Sequence, residues 1–433
     1  MKKSENISEK FLHYIWKNKL FDTENKLDDE GNKIEILSTG IQNTDAGPDF
    51  FNAKIKIGNT LWAGNVEIHI KSSDWYKHNH HKNKAYNNVI LHVVVENDKK
   101  TVAENTKKIP TLVLKYNPEL FDRYSELSEN QSSISCENFI SEIDTFILNS
   151  WLSNLLIERA EQKTSYAENL FNFKKSNREE IFYILTARAF GFKVNALPFE
   201  MLAKSLPSII LAKHKNNKFQ IEALLFGQAG MLSDETIEDE YYLKLKKEYT
   251  FLKAKYNLQP IKAHLWKFLR IRPSNFPTVR ISQFADLIYK SSHLFSKILE
   301  AKNVSELEKM FETKAGEYWN THYKFGKPTG EKIKKLGKSA VHSIIINTVI
   351  PSLFLYGKQK DKNEIIEKAI YFLENIKAEK NTVTKKWKNA GIIIKNAYYS
   401  QSLIQLYNEY CTKNRCLDCR IGYFYIQNKK THE

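Results

Sequence analysis

The apolar residues of this 433-residue chain change period part-way along it, and that change restricts the folds open to it. Between Ile34 and Tyr116 they alternate or fall in short β-branched runs; from Ile143 onwards they return every three or four positions. "AKIKIG" (Ala53 to Gly58) alternates as a half-buried strand does. "NVILHVVVEND" (Asn88 to Asp98) is a continuous β-branched run between polar residues, the pattern of a strand covered on both faces. Further strands are expected at Ile34 to Leu37, Ala53 to Ile57, Leu61 to Ile70 and Ile109 to Tyr116, with Gly58-Asn59 closing a hairpin. "ISEKFLHYIWKNKLF" places Ile7, Phe11, Tyr14 and Ile15 on one helical face, with Ser8 or Asn6 as N-cap, and Trp75 to Tyr86 predicts a second helix.

The chain therefore reads as α+β: a small α/β domain over residues 1–118, a polar linker over 119–140, and a mostly helical region over 141–433. A chain of this length exceeds one compact core. Its longest apolar stretch, "SIIINTVIPSLFLY" (Ser343 to Tyr356), contains Asn347 and Pro351 and is shorter than the ~18 residues a membrane span needs. With no signal-peptide pattern at the start, the reading is a cytoplasmic protein with no membrane partner. The 66 Lys and Arg against 50 Asp and Glu give a net charge of +16, which favours a polyanionic partner such as nucleic acid. Only nine of the 66 are Arg, however, so a Lys-rich composition explains the charge equally well.

Two carboxylates carry the chemistry. Asp49 follows Gly47-Pro48 at the start of a strand, and Glu67 lies in the next strand. Antiparallel neighbours can bring both onto one face, and the period of two places Glu67, His69 and Lys71 on the same side. Such a set suits Mg²⁺ or Mn²⁺ held by Asp49 and Glu67, with His69 or Lys71 assisting water attack on a phosphoryl group. "GPDF" followed by "VEIHIK" resembles the PD-(D/E)xK nuclease superfamily, and the element order over residues 7–96 is similar to its restriction-endonuclease-like αβββαβ core. The resemblance implies metal-dependent phosphodiester hydrolysis, with Pro48-Asp49 and Glu67 as the acidic elements. The superfamily pattern has Lys where this chain has His69; Lys71 lies one pleat further on. Glu9, on the first helix, matches an acidic position found in some members. The whole chain also resembles an uncharacterised bacterial family known only as a domain of unknown function.

Other readings share these residues. Asp49 after Gly47-Pro48 also reads as a simple turn cap, and Glu67 and Lys71 as a pair across a solvated strand face; a second function reading is a non-catalytic nucleic-acid-binding or scaffold protein on a degenerate nuclease core. In "WYKHNHHKNKAY", His78 and His81 share a face of a continuous helix. They read as phosphate contacts, or with His69 as the ligands of a zinc hydrolase. Cys411, Cys416 and Cys419 form C-x4-C-x2-C, and Cys136 is the remaining cysteine that could complete a zinc or iron–sulfur site. Arg270, Arg272 and Arg280, in a Pro-containing segment, are expected to contact nucleic-acid phosphates. Gly337-Lys338-Ser339 lacks the upstream glycine of a P-loop, since Lys332 stands there, and is rejected as a nucleotide motif.

Overall fold

The computed structural model describes residues 7–22, 26–130, 132–174 and 178–428, without the side chains of 169–174. The chain forms two compact units, one of Met1–Trp151 with Tyr407–Glu433 and one of Leu152–Leu406.

In the first unit, helix α1 (Glu9–Lys17) starts where Ser8 accepts a hydrogen bond from the Phe11 N–H through its hydroxyl; Asn6 lies outside the described residues. Its apolar stripe, Phe11, Leu12, Tyr14, Ile15 and Trp16, is buried, and the Trp16 indole N–H donates to the Thr39 carbonyl. The strands are β1 (Ile34–Ser38), β2 (Ile41–Gln42), β3 (Phe50–Ile57), β4 (Thr60–Lys71), β5 (Val89–Glu96) and β6 (Thr111–Val113). They form a mixed sheet in the order β1-β3-β4-β5-β6, with β2 pairing the far end of β3. β3 runs antiparallel to β1 and β4, while β4, β5 and β6 are parallel. The element order, helix, strands, helix, strand, is the expected α+β one. β5 lies between two parallel neighbours and is buried through Val94, which is why its sequence does not alternate.

Parallel pairing requires a crossover, and the one joining β4 to β5 is irregular. It holds the four-residue helix α2 (Asp74–Lys77) and 3₁₀ turns at His80–Lys82 and Lys84–Tyr86. The continuous helix expected over Trp75 to Tyr86 is broken at Asn79, whose φ of 60° is left-handed; Asn is among the few residues that adopt this conformation readily. Trp75, Tyr86, Val89, Ala103 and Ile109 pack together beneath the crossover.

The first half of the segment expected as a linker is helix α3 (Pro118–Glu129), and the C-terminal segment packs with it. Arg123 donates to the Ile426 carbonyl, the Tyr425 hydroxyl donates to Glu126, and Phe139 stacks on Tyr425 at 3.6 Å. The cysteine-bearing C-terminus therefore belongs to the first unit and not, as expected, to the helical region.

The second unit is built mainly from helices around an apolar core running from Leu156 to Ala397, with a smaller cluster of Ala167, Ile181, Leu185 and Leu355 and a short hairpin of His322–Lys324 with Lys327–Pro328. One helical stretch, Lys338–Lys360, is longer than the expected apolar run and is long and apolar enough to cross a membrane, yet most of it is buried inside the unit, as a core helix is. It continues through Pro351 because a π-helical turn at Ile345–Val349 precedes the proline and loosens the ladder where its ring would otherwise clash.

Candidate metal centre

Three features of the sheet assemble the site. A bulge in β3 sets Phe50 opposite Val66 while Ala53 stays opposite Gly64, with Asn52 left-handed at φ 56°. This places Asp49 beside Glu67: the Asp49 N–H donates to Glu67 Oε2 at 3.0 Å, and the Ile68 N–H donates to Asp49 Oδ2 at 2.9 Å. The parallel register of β4 on β5 sets Glu67 level with His92. The β4–β5 crossover then brings His78 and His80 over the same end of β4.

The donor atoms form a chain. His80 Nε2 is 3.1 Å from Glu67 Oε1, Glu67 Oε1 is 3.6 Å from His69 Nε2, and His69 Nε2 is 3.1 Å from His78 Nδ1. Among the described residues, His69, His78 and His80 form a group whose ligand nitrogens all lie within 4.8 Å of one another. His69 Nδ1 is 2.8 Å from His92 Nε2, a contact that fixes the His69 ring with Nε2 facing Glu67. The Tyr86 ring stacks on His80 at 3.8 Å. On the α1 side, His13 Nε2 is 3.2 Å from Asp49 Oδ2. His13 Nε2 and His80 Nε2 are close to carboxylate oxygens but not aligned to hydrogen-bond with them.

Burial sets the electrostatics. Glu67 is pushed up to about 9 by loss of solvent and by the Asp49 charge, against the pull of the Asp49 N–H. Burial and the surrounding imidazoles His92, His80, His78 and His13 lower His69 to about 2, and burial lowers His92 to about 3. His80 is lowered by burial as well. These imidazoles are held neutral, the form that ligates metal. Burial also lowers His13, but its contact with Asp49 outweighs this and leaves it raised. Glu9 is raised by burial and senses His78, Asp49 and His13, so its carboxyl borders the same cluster.

The structure thus brings Asp49, Glu67, His69, His78 and Glu9 together, and adds His13, His80 and His92. His13 stands one turn after Glu9, a spacing visible in the sequence; His80 and His92 depend on the broken crossover and the parallel register. Two expected residues lie elsewhere. Lys71 is at the exposed end of β4, 3.1 Å from Glu96, its cross-strand partner. His81 packs against Tyr76 because the turn at Asn79 gives its place to His80. Of the three arginines, Arg270 and Arg272 are exposed, whereas Arg280 is only 6% exposed, held within the second unit.

Cys136 is buried among the other three thiols: burial and then Cys419, Cys411 and Cys416 raise it well above the usual thiol range. Burial also raises Cys416, and raises Cys419 to about 11. The four thiols are near enough to influence one another; among the described residues they do not form a group with the spacing of the histidines.

Residues 9–382 match a family described as "Protein of unknown function (DUF2851)". The chain belongs to this family. The DUF2851 match spans every residue of the histidine and carboxylate cluster and stops before Cys411, Cys416 and Cys419. No curated protein and no solved structure matches the chain.

Proposed function

We propose that the protein is a metal-dependent phosphodiesterase acting on nucleic acid, with one divalent ion held by Glu67, His69, His78 and His80. The observation that carries this reading is the group of three imidazoles, His69, His78 and His80, whose nitrogens lie within 4.8 Å of one another, with Glu67 Oε1 beside two of them. Ligands at about 2.0–2.1 Å from one ion in a tetrahedron stand about 3.3 Å apart; His80 to Glu67, Glu67 to His69 and His69 to His78 are 3.1, 3.6 and 3.1 Å apart, and the remaining pairs, Glu67 to His78 among them, would have to close around the ion. Three imidazoles and one carboxylate favour a transition metal over Mg²⁺, which prefers an all-oxygen shell. His69, standing where the superfamily pattern has Lys, would then be a ligand.

The ion would polarise a phosphoryl oxygen and lower the pKa of bound water. Asp49 and His13 would act as the adjoining acid–base pair: His13, whose Nε2 lies 3.2 Å from Asp49 Oδ2, would take the proton of the attacking water, with Asp49 stabilising the imidazolium. Phosphodiester chemistry is favoured by the resemblance of "GPDF" and "VEIHIK" to the nuclease pattern, and nucleic acid by the net charge of +16. The gathered cysteines are read as a second, structural metal site, and their free thiols agree with a cytoplasmic setting.

The test is hydrolysis of single- and double-stranded DNA and RNA, and of a small aryl phosphodiester, with Mn²⁺, Zn²⁺ or Mg²⁺ added to metal-free protein. Glu67→Gln should lower turnover by more than about 100-fold while preserving the fold by circular dichroism. Metal-stimulated cleavage unchanged in that variant would refute the assignment, and metal binding without turnover on any substrate would leave a binding protein.

A further inference from the structure

The second unit contains a cavity of about 890 Å³, within the range of about 300–1,000 Å³ typical of ligand pockets. Eight lysines and arginines line it against a single carboxylate, Glu379. That carboxylate accepts a hydrogen bond from the Gln401 side chain.

Two of the cations are buried. Arg280, 6% exposed, donates to Gln283 Oε1 at 2.8 Å and Asn275 Oδ1 at 2.6 Å, and its guanidinium lies 4.6 Å over the Phe192 ring. Its Nε–H has no hydrogen-bond partner among the described residues. Lys334, 5% exposed, donates to the Trp319 and Asn320 carbonyls and lies 4.2 Å over the Tyr323 ring. Among the described residues neither cation meets a carboxylate. Neutral amides, carbonyls and aromatic faces solvate a charge but do not cancel it, and an uncompensated buried cation is costly. Around them, Arg272 and Lys335 are exposed at the cavity lining. Lys338 and His342 are already paired with Glu308, at 2.9 and 2.6 Å, and so do not supply the unbalanced charge.

We propose that this cavity binds a phosphate-bearing anion of about nucleotide size, with Arg280 and Lys334 as its buried cationic floor and Arg272 and Lys335 at its rim. The excess of positive groups calls for several negative charges on one ligand, and guanidinium matches phosphate oxygens in geometry. Gly337-Lys338-Ser339, which fails as a P-loop, lines this cavity, so its place in the proposal rests on the fold and not on that motif. The inference is independent of the metal centre, which lies in the other unit.

The test is titration of the full chain at constant ionic strength with tripolyphosphate, ATP and a short single-stranded oligonucleotide, followed by calorimetry and thermal shift. Tripolyphosphate should bind with about one site per chain and raise the melting temperature. Arg272→Gln with Lys335→Gln, both exposed, should weaken it by roughly tenfold or more, since each removes a charge-assisted contact to phosphate. The charge-matched pair Lys244→Gln and Lys247→Gln, exposed on the helix Glu240–Tyr256, should change it little. Arg280→Gln should abolish binding, with circular dichroism reporting whether it folds. If the oligonucleotide competes with tripolyphosphate and shows the same rim sensitivity, the occupant is a strand phosphate; if only the small anions do, it is a free phosphorylated ligand. Absence of binding by all three, or equal weakening by the control pair, would overturn the proposal.

Discussion

His80 and His81 are adjacent in sequence and opposite in role. His80 Nε2 sits 3.1 Å from Glu67 Oε1, whereas His81 rests on Tyr76. Under the proposed metal centre, His80→Ala should weaken binding of Zn²⁺ or Mn²⁺ by about 100-fold or more, and His81→Ala by less than about threefold, as isothermal titration of metal-free protein would read. Equal losses would mean that the histidines act as a diffuse charge cluster. The period of a β-strand made Glu67 and His69 legible as a pair from the sequence alone, and Gly47-Pro48 pointed to Asp49. The same logic overreached at Lys71. It shares the face of Glu67 and His69, but the strand end carries it into solvent beside Glu96. Period tells which way a side chain points, and the depth of the strand decides what it meets.

At the scale of the element, the site depends on how β4 meets β5. Gly64 lies where the strands first approach: a Cβ there would stand 2.7 Å from the Asn88 carbonyl and 2.4 Å from the Ile90 side chain. The adjacent Asn65 N–H donates to that same carbonyl at 2.9 Å. Gly64→Ala should therefore push the start of β5 away and destabilise the protein by about 1–3 kcal/mol, the usual cost of overpacking. Chemical denaturation would measure it; an unchanged midpoint would show that the strands separate without cost. The alternation of β3 and the β-branched run of β5 announced these strands in the sequence. The bulge at Phe50 to Ala53 and the left-handed Asn79 did not, because each is a local departure that tertiary packing selects from several that the residues allow. Those two departures bring Asp49 and His80 to Glu67.

Over the whole molecule, the change from strand to helix patterning correctly separated an α/β part from a helical part, but it could not show that the chain returns. Residues 407–428 join the first unit, and this return brings Cys411, Cys416 and Cys419 near Cys136. A tetrahedral zinc site with Zn–S bonds near 2.3 Å needs sulfurs about 3.8 Å apart, so the cysteines would close in around zinc or span a larger iron–sulfur cluster. Either ion would tie the two ends of the unit together and stabilise it, since metal that binds only the folded state adds its binding free energy to folding. Protein purified anaerobically without added metal should carry tightly held zinc or iron, with brown colour marking a cluster. Cys136→Ser should lose that metal and melt several degrees lower, while His80→Ala should retain it. This pairing separates the two centres: loss of all metal in His80→Ala would place it at the histidines, and a metal content and melting temperature unaffected by Cys136→Ser would reduce the four thiols to ordinary buried cysteines.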